Sequence, residues 1–171
     1  MNMTKIKRSF PFFNNKSGPN SCIYLDSAAT THKPQPVIDS IVQYYSKYST
    51  NVHRSLYPLA SEVTNKFEAV RTTVAEFINS DQNNIIFTKN ATEAINLVAY
   101  SWAMKNINKN DSILISKMEH HSNLIPWQII AQKKQANLIY IPINKSGELD
   151  IDEFNKLIIQ NVKLVAITHQ S

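Results

Sequence analysis

The chain has 171 residues and 43% hydrophobic side chains, which sizes it for one domain with a packed core and excludes a disordered polymer. Its two glycines, Gly18 and Gly147, cannot write a G-x-G-x-x-G fingerprint or a phosphate-binding P-loop, and its one cysteine, Cys22, excludes an intrachain disulfide and a Cys-rich zinc site. The net charge of +5 comes from 18 Lys and Arg spread along the chain, without a basic stripe interleaved with aromatics, so no nucleic-acid partner is expected, and no apolar run approaches the roughly 18 residues of a membrane span.

Residues 1–22 read as an irregular arm, broken by Pro11, Asn14-Asn15 and Gly18-Pro19. The arm carries Lys5, Lys7 and Arg8 but no apolar h-region, unlike a secretory signal, and a soluble cytoplasmic chain is expected. Ile23-Tyr24-Leu25 is a short extended piece. Pro34 and Pro36 introduce a helix near 36–48, whose Val37, Ile38, Ile41, Val42, Tyr45 and Tyr48 keep helical spacing. A second helix follows Pro58, with Leu59, Val63, Phe67, Val70, Val74 and Phe77 along one face.

The rhythm changes near residue 82, so 23–80 reads as a helical segment and 81–171 as the first part of an α/β domain. Ile85–Thr88 is predicted as a strand, and Ala91–Met104 as a helix with Ile95, Val98, Ala99 and Trp102 inward. A strand at Ile113–Ser116, a helix at Pro126–Gln135 and a strand at Leu138–Ile141 follow. Asn144-Lys145-Ser146-Gly147 is a turn, and Asp150 with Glu153 forms a capping box for a helix near 151–160. Leu164–Ile167 is the last strand. These strands are short, β-branched and apolar on both faces, as in a mostly parallel sheet with flanking helices.

Ligands of open α/β sheets bind beyond the carboxyl ends of the strands. After the first predicted strand, Asn90 can cap a helix and Glu93 can reach back to it. The N–H groups of Ala91 and Thr92 and the Thr92 hydroxyl then form an anion cup, or simply an ordinary capped helix. After the second strand come Met118, Glu119, His120 and His121. Neighbouring histidines are not expected to point the same way, which argues against zinc. One histidine could lie flat on an aromatic ligand, or both could be solvated. Thr168-His169-Gln170-Ser171 follows the last strand. His53-Arg54, between the early helices, offers a guanidinium suited to a carboxylate, or an interhelical loop.

Five blocks occur in order: Tyr24-Leu25-Asp26-Ser27-Ala28-Ala29-Thr30, Asn51-Val52-His53-Arg54, Ala91-Thr92-Glu93-Ala94-Ile95-Asn96-Leu97-Val98-Ala99, Met118-Glu119-His120-His121-Ser122-Asn123 with Pro126-Trp127-Gln128, and Leu164-Val165-Ala166-Ile167-Thr168-His169. Together they resemble the N-terminal part of a SUF-pathway cysteine desulfurase, within the class-V aminotransferase-like, fold-type I PLP enzymes. The resemblance implies an incomplete large domain of that fold, with pyridoxal 5'-phosphate as cofactor and L-cysteine as substrate. It implies sulfur removal that leaves L-alanine and an enzyme persulfide for iron-sulfur cluster assembly, a homodimer in the complete protein, and a sulfur-acceptor protein as partner. By the same resemblance Ala91 and Thr92 hold the cofactor phosphate, His120 stacks on the pyridine ring, and Ala28, His53 and Arg54 lie on the substrate side.

Where the family usually reads Gly-Thr-Thr-Glu, this chain reads Asn90-Ala91-Thr92-Glu93. The family's Schiff-base Lys, pyridinium-pairing Asp and persulfide-forming Cys fall beyond Ser171, so none of that catalytic set is expected here. Cys22, Lys89 and Lys117 match none of those motifs. The alternative reading is a catalytically inactive remnant or dimerising partner, and the coding sequence beyond Ser171 separates the two. In this fold type, strands from later sequence flank the first strand, so the edges of 85–88 are expected to stand unpaired.

Overall fold

The computed structural model describes residues 3–14, 23–158 and 161–170. The predicted breakers at Asn15 and Gly18-Pro19, together with Cys22 and Ser171, lie outside these residues. The chain divides into two compact units, Met1–Ile85 and Ile86–Ser171.

The first unit is helical. The predicted arm is not irregular throughout: Met3–Arg8 forms a helix, α1, and Pro11–Asn14 a 3-10 turn. Lys and Arg cost little in a helix, and Lys5, Lys7 and Arg8 in the last turn favour its negative end. The Ser9 carbonyl accepts the N–H of Gln35 at 2.8 Å, which ties the end of α1 to the start of α2 (Gln35–Gln43). Phe12 stacks on the His32 ring at 3.7 Å, and Tyr24 flanks the same ring. Pro34 and Pro36 start α2, which runs on as a π turn over Tyr44–Tyr48. Pro58 starts α3 (Pro58–Phe77). Of the apolar line predicted for α3 only Val63 is buried, and Phe77 is 89% exposed.

The second unit carries the sheet. Helix α4 begins as Ala91–Val98, passes through a π turn at Ala99–Ala103 and ends at Met104–Asn106. The strands are β1 (Ser112–Ser116), β2 (Asn137–Ile141) and β3 (Val162–Ala166). They pair in parallel in the order β2-β1-β3. Helix α5 (Ile125–Lys134) crosses from β1 to β2, and α6 (Ile151–Leu157) from β2 to β3. Parallel neighbours need such crossovers because a hairpin cannot join them.

Three expectations change here. Ile85–Thr88 joins no ladder among the described residues, although Ile85 keeps an extended backbone. Extended chain without a neighbour has no bonds with which to form a sheet. The inward face of α4 is Ile95, Ala99 and Ala103, with Ile107 just beyond, while Val98 and Trp102 are 44% and 41% exposed. A π turn holds more residues than an α turn, so residues spaced by four come to share a face. Asp150 does cap α6, accepting the Glu153 N–H at 3.0 Å, but the Glu153 carboxylate pairs with Lys156 and does not return to Asp150. That helix is described to Leu157; residues 159 and 160 of the predicted span lie outside the described residues.

The Asn144–Gly147 turn stands as predicted, with Gly147 in the left-handed region at φ +82°. Strand β1 is buried along its whole length. Ile113 and Ile115 pack with Ala99, Ala103, Ile107, Trp127, Ile130 and Ala131 as one cluster. By strand alternation Leu114 points to the opposite face, and it too is fully buried. Leu114→Ala is therefore expected to cost about 2–5 kcal/mol of unfolding free energy, by lost transfer energy plus the cavity left behind. Urea unfolding of the two proteins measures it, and a loss under about 1 kcal/mol would mean that this face of β1 is not packed as described.

Candidate functional site

The start of α4 and the loop after β1 carry the polar residues of the candidate site. Asn90, extended at φ −167°, caps α4 by accepting the Glu93 N–H on Oδ1 at 2.9 Å, and its carbonyl accepts from Ala94. Glu93 reaches back as predicted, but one residue further, accepting the Lys89 N–H at 2.6 Å. These bonds leave the N–H groups of Ala91 and Thr92 and the Thr92 hydroxyl without a partner among the described residues. Asn96, one turn along the same face, donates to the Thr92 carbonyl at 2.8 Å.

The loop after β1 carries the histidines. The Lys117 N–H donates to the Ile141 carbonyl at the end of β2. His120 is the N-cap of a 3-10 turn at His121–Asn123, and its Nδ1 accepts the Ser122 N–H at 3.1 Å. A backbone N–H can only donate, so Nδ1 is the bare nitrogen and the proton of the neutral ring sits on Nε2. The Ser122 hydroxyl lies 2.9 Å from the same Nδ1.

Thr92, Asn96, His120, His121 and Ser122 line one cavity of about 330 Å³, with Ile125, Pro126 and Ile129 as its apolar wall. The structure thus places Thr92 and His120 on one cavity. It also corrects the expectation for the histidine pair: both rings line this cavity, 6.1 Å apart and tilted by 46°. The chain leaves its extended course at the 3-10 turn beginning at His121, so strand alternation does not govern the second histidine. No group of three or more metal-ligating side chains occurs among the described residues.

Sequence reasoning did not assign Asn96, Ser122, Ile125, Pro126 or Ile129 to the cavity. Asn96 was accessible from its four-residue spacing to Thr92. Ser122 needed the 3-10 turn, which leaves little mark in sequence.

Ala28, His53 and Arg54 belong to the first unit. Ala28 lies in a turn at 27–29, closed by the N–H groups of Ala29 and Thr30 on the Asp26 carbonyl. His53 sits in the left-handed region at φ 68°. Three contacts hold it: its N–H on Thr64 Oγ1 at 3.0 Å, its Nε2 on Glu68 at 2.8 Å, and the Phe67 ring edge-on. The exposed Arg54 guanidinium has no partner among the described residues. A hollow of about 630 Å³ between α2 and α3, lined by Tyr48, Lys66 and Phe67, contains none of the predicted site residues.

The aminotransferase class-V family profile matches residues 23–171. The chain belongs to the class-V aminotransferase family. Members of this family depend on pyridoxal 5'-phosphate. A probable cysteine desulfurase from Synechocystis is 42% identical over 167 residues, which is 97% of this chain and 40% of that relative. A probable cysteine desulfurase from Vibrio cholerae is 42% identical over 170 residues, 99% of this chain and 42% of the relative. Among solved structures, the apo cysteine desulfurase of Thermococcus onnurineus superposes with a TM-score of 0.87 at 37% identity, covering 97% of this chain and 40% of that one. A cysteine desulfurase from Escherichia coli gives 0.80 at 35% identity, covering 96% and 40%. The fold is therefore the fold-type I architecture of PLP enzymes, and the chain spans about 40% of the length of these relatives.

Arg71 and, second, His53 hold the Glu68 carboxyl below the usual glutamate range by hydrogen bonding to its charged form. A depressed carboxyl contributes its stabilisation fully above the ordinary glutamate range and loses it as pH falls through the lowered value. Carbon-detected NMR titration is expected to place the Glu68 midpoint below the usual range, and Arg71→Ala to move it upward. An unmoved midpoint in the variant would remove Arg71 as the cause.

Proposed function

We propose that the cavity at the start of α4 receives pyridoxal 5'-phosphate, and that residues 81–171 are the first part of the PLP-binding domain of a cysteine desulfurase. The observation that carries this reading is that Thr92, at a helix start whose Ala91 and Thr92 N–H groups have no partner among the described residues, lines the same cavity as His120. A phosphate is the natural partner of free N–H groups at the positive end of a helix. The fit needs no cation on the protein, because the helix end and the Thr92 hydroxyl supply the donors.

When bound, the cofactor supplies the electron sink for bond breaking at the substrate's α-carbon. This chain's residues do the rest of the work near it. Ala91 and Thr92 hold the phosphate, and Asn96 steadies the Thr92 backbone. His120 lies on the face of the pyridine ring, with its proton on Nε2. The apolar wall of Ile125, Pro126 and Ile129 excludes water on that side. To Ala28, His53 and Arg54 of the first unit we assign substrate binding, the free Arg54 guanidinium being suited to the carboxylate of L-cysteine.

On this reading the whole protein takes sulfur from L-cysteine, leaves L-alanine, and passes sulfur as a persulfide to an acceptor protein of iron-sulfur cluster assembly. It does so as a cytoplasmic homodimer. The named relatives at 42% identity support the reaction class. No helix among the described residues is long and apolar enough to cross a membrane.

Two measurements test the reading. Thr92→Val is expected to weaken pyridoxal 5'-phosphate about tenfold, close to 1.4 kcal/mol, while leaving pyridoxal without its phosphate unaffected. Equal losses for both ligands would place the phosphate elsewhere. In the protein that carries this chain, His120→Ala is expected to lower alanine release from L-cysteine by about a hundredfold or more above the free-cofactor background. Unchanged release would remove His120 from the chemistry.

A further inference from the structure

The loop that carries His120 is fastened by its neighbour. Glu119 Oε1 accepts the Ser116 hydroxyl at the end of β1 and the Thr168 N–H just after β3, the latter at 2.9 Å. Oε2 accepts Asn123 Nδ2 at 2.7 Å, and Asn123 Oδ1 in turn accepts the indole N–H of Trp127 on α5 at 2.9 Å. One half-buried carboxylate therefore joins the carboxyl ends of two adjacent strands, the 3-10 turn and the crossover helix. We infer that Glu119 is the positioning residue of the site, and that its carboxylate sets the polarity of the relay that holds His120 against the cofactor ring. The cofactor half of this statement rests on the function proposed above.

An indole nitrogen only donates, and a carboxylate that meets three donors only accepts. The Asn123 amide between them can satisfy both ends in one orientation alone. Glu119→Gln keeps the shape but replaces one acceptor oxygen with an NH₂, which meets the Asn123 NH₂ or, with the new amide flipped, the Thr168 N–H. Flipping Asn123 cures the first clash and then sets its NH₂ against the Trp127 N–H. In every orientation one donor loses its partner, and the turn that His120 caps loses an anchor. Asn123→Asp in the same protein reverses the logic. The introduced amide then donates to the new carboxylate, whose second oxygen accepts from Trp127, and the net charge is unchanged.

The test uses chain labelled with ¹⁵N in histidine and tryptophan, read by side-chain NMR, thermal melting and pyridoxal 5'-phosphate titration. Wild type is expected to show His120 as a single tautomer with the proton on Nε2. Glu119→Gln should shift the Trp127 indole signal, mix the His120 tautomers and weaken the cofactor about tenfold. The double variant Glu119→Gln/Asn123→Asp should restore all three. If Glu119→Gln fails to fold, recovery of the fold and of both ring signals in the double variant still supports the relay. Wild-type indole and tautomer signals in Glu119→Gln would overturn the inference, as would a double variant that restores neither. Restored ring signals in a chain whose wild type does not bind the cofactor would support the relay and overturn the function proposed for the cavity.

Discussion

The burial of β1 is the constraint on which the second unit depends. A strand covered on both faces and paired on both edges leaves no water for its polar groups, so each end must be closed by protein. At the amino end Asp111, itself buried, accepts from the Asn108 N–H and from Asn161 Nδ2, while the Ser112 N–H donates to the Asn161 carbonyl. At the carboxyl end the buried Ser116 donates to Glu119 and accepts from the Met118 N–H. The two ends solve one problem with an acid and an amide each. Only the second closure leaves a loop of histidines facing a cavity, and that difference separates scaffold from site.

Much of the second unit was legible because its signals are local. Strands that are apolar on both faces fixed the parallel sheet, and Pro126 and Asp150 marked helix starts correctly. The position of His120 was legible because it follows a strand end, whereas that of Thr92 rests on the Asn90 cap, since the strand expected before it does not form among the described residues. What escaped the sequence was one extra residue in a turn. The π turn at Ala99–Ala103 moved the buried face of α4 from Trp102 to Ala103, and α-helical periodicity cannot report it. Ile85–Thr88 has the composition of a strand, yet pairing is a property of neighbours, which composition does not contain. Helix α1 was missed for the opposite reason, since Pro11 and Asn14 drew more weight than the good helix formers before them.

The chemistry proposed for the cavity sets a demand that the fold meets in an economical way. Among the described residues no Lys or Arg lines it, and the Ser122 N–H occupies Nδ1 of His120. A phosphate there would be held without a Lys or Arg side chain among the described residues, and a helix end contributes only about 0.3–1 kcal/mol when exposed, or roughly 2 kcal/mol in favourable geometry. Such an anchor fixes position better than it fixes affinity. The remaining binding free energy has to come from the flat part of the ligand, which makes the orientation of one imidazole matter as much as the phosphate cup. That orientation depends on Ser122, then on the turn that contains it, and through Asn123 on Glu119 at the ends of β1 and β3. The buried strand and the ring that faces the cavity thus belong to one continuous set of hydrogen bonds, so a change that loosens the strand end should be felt at the ring before it is felt in the core.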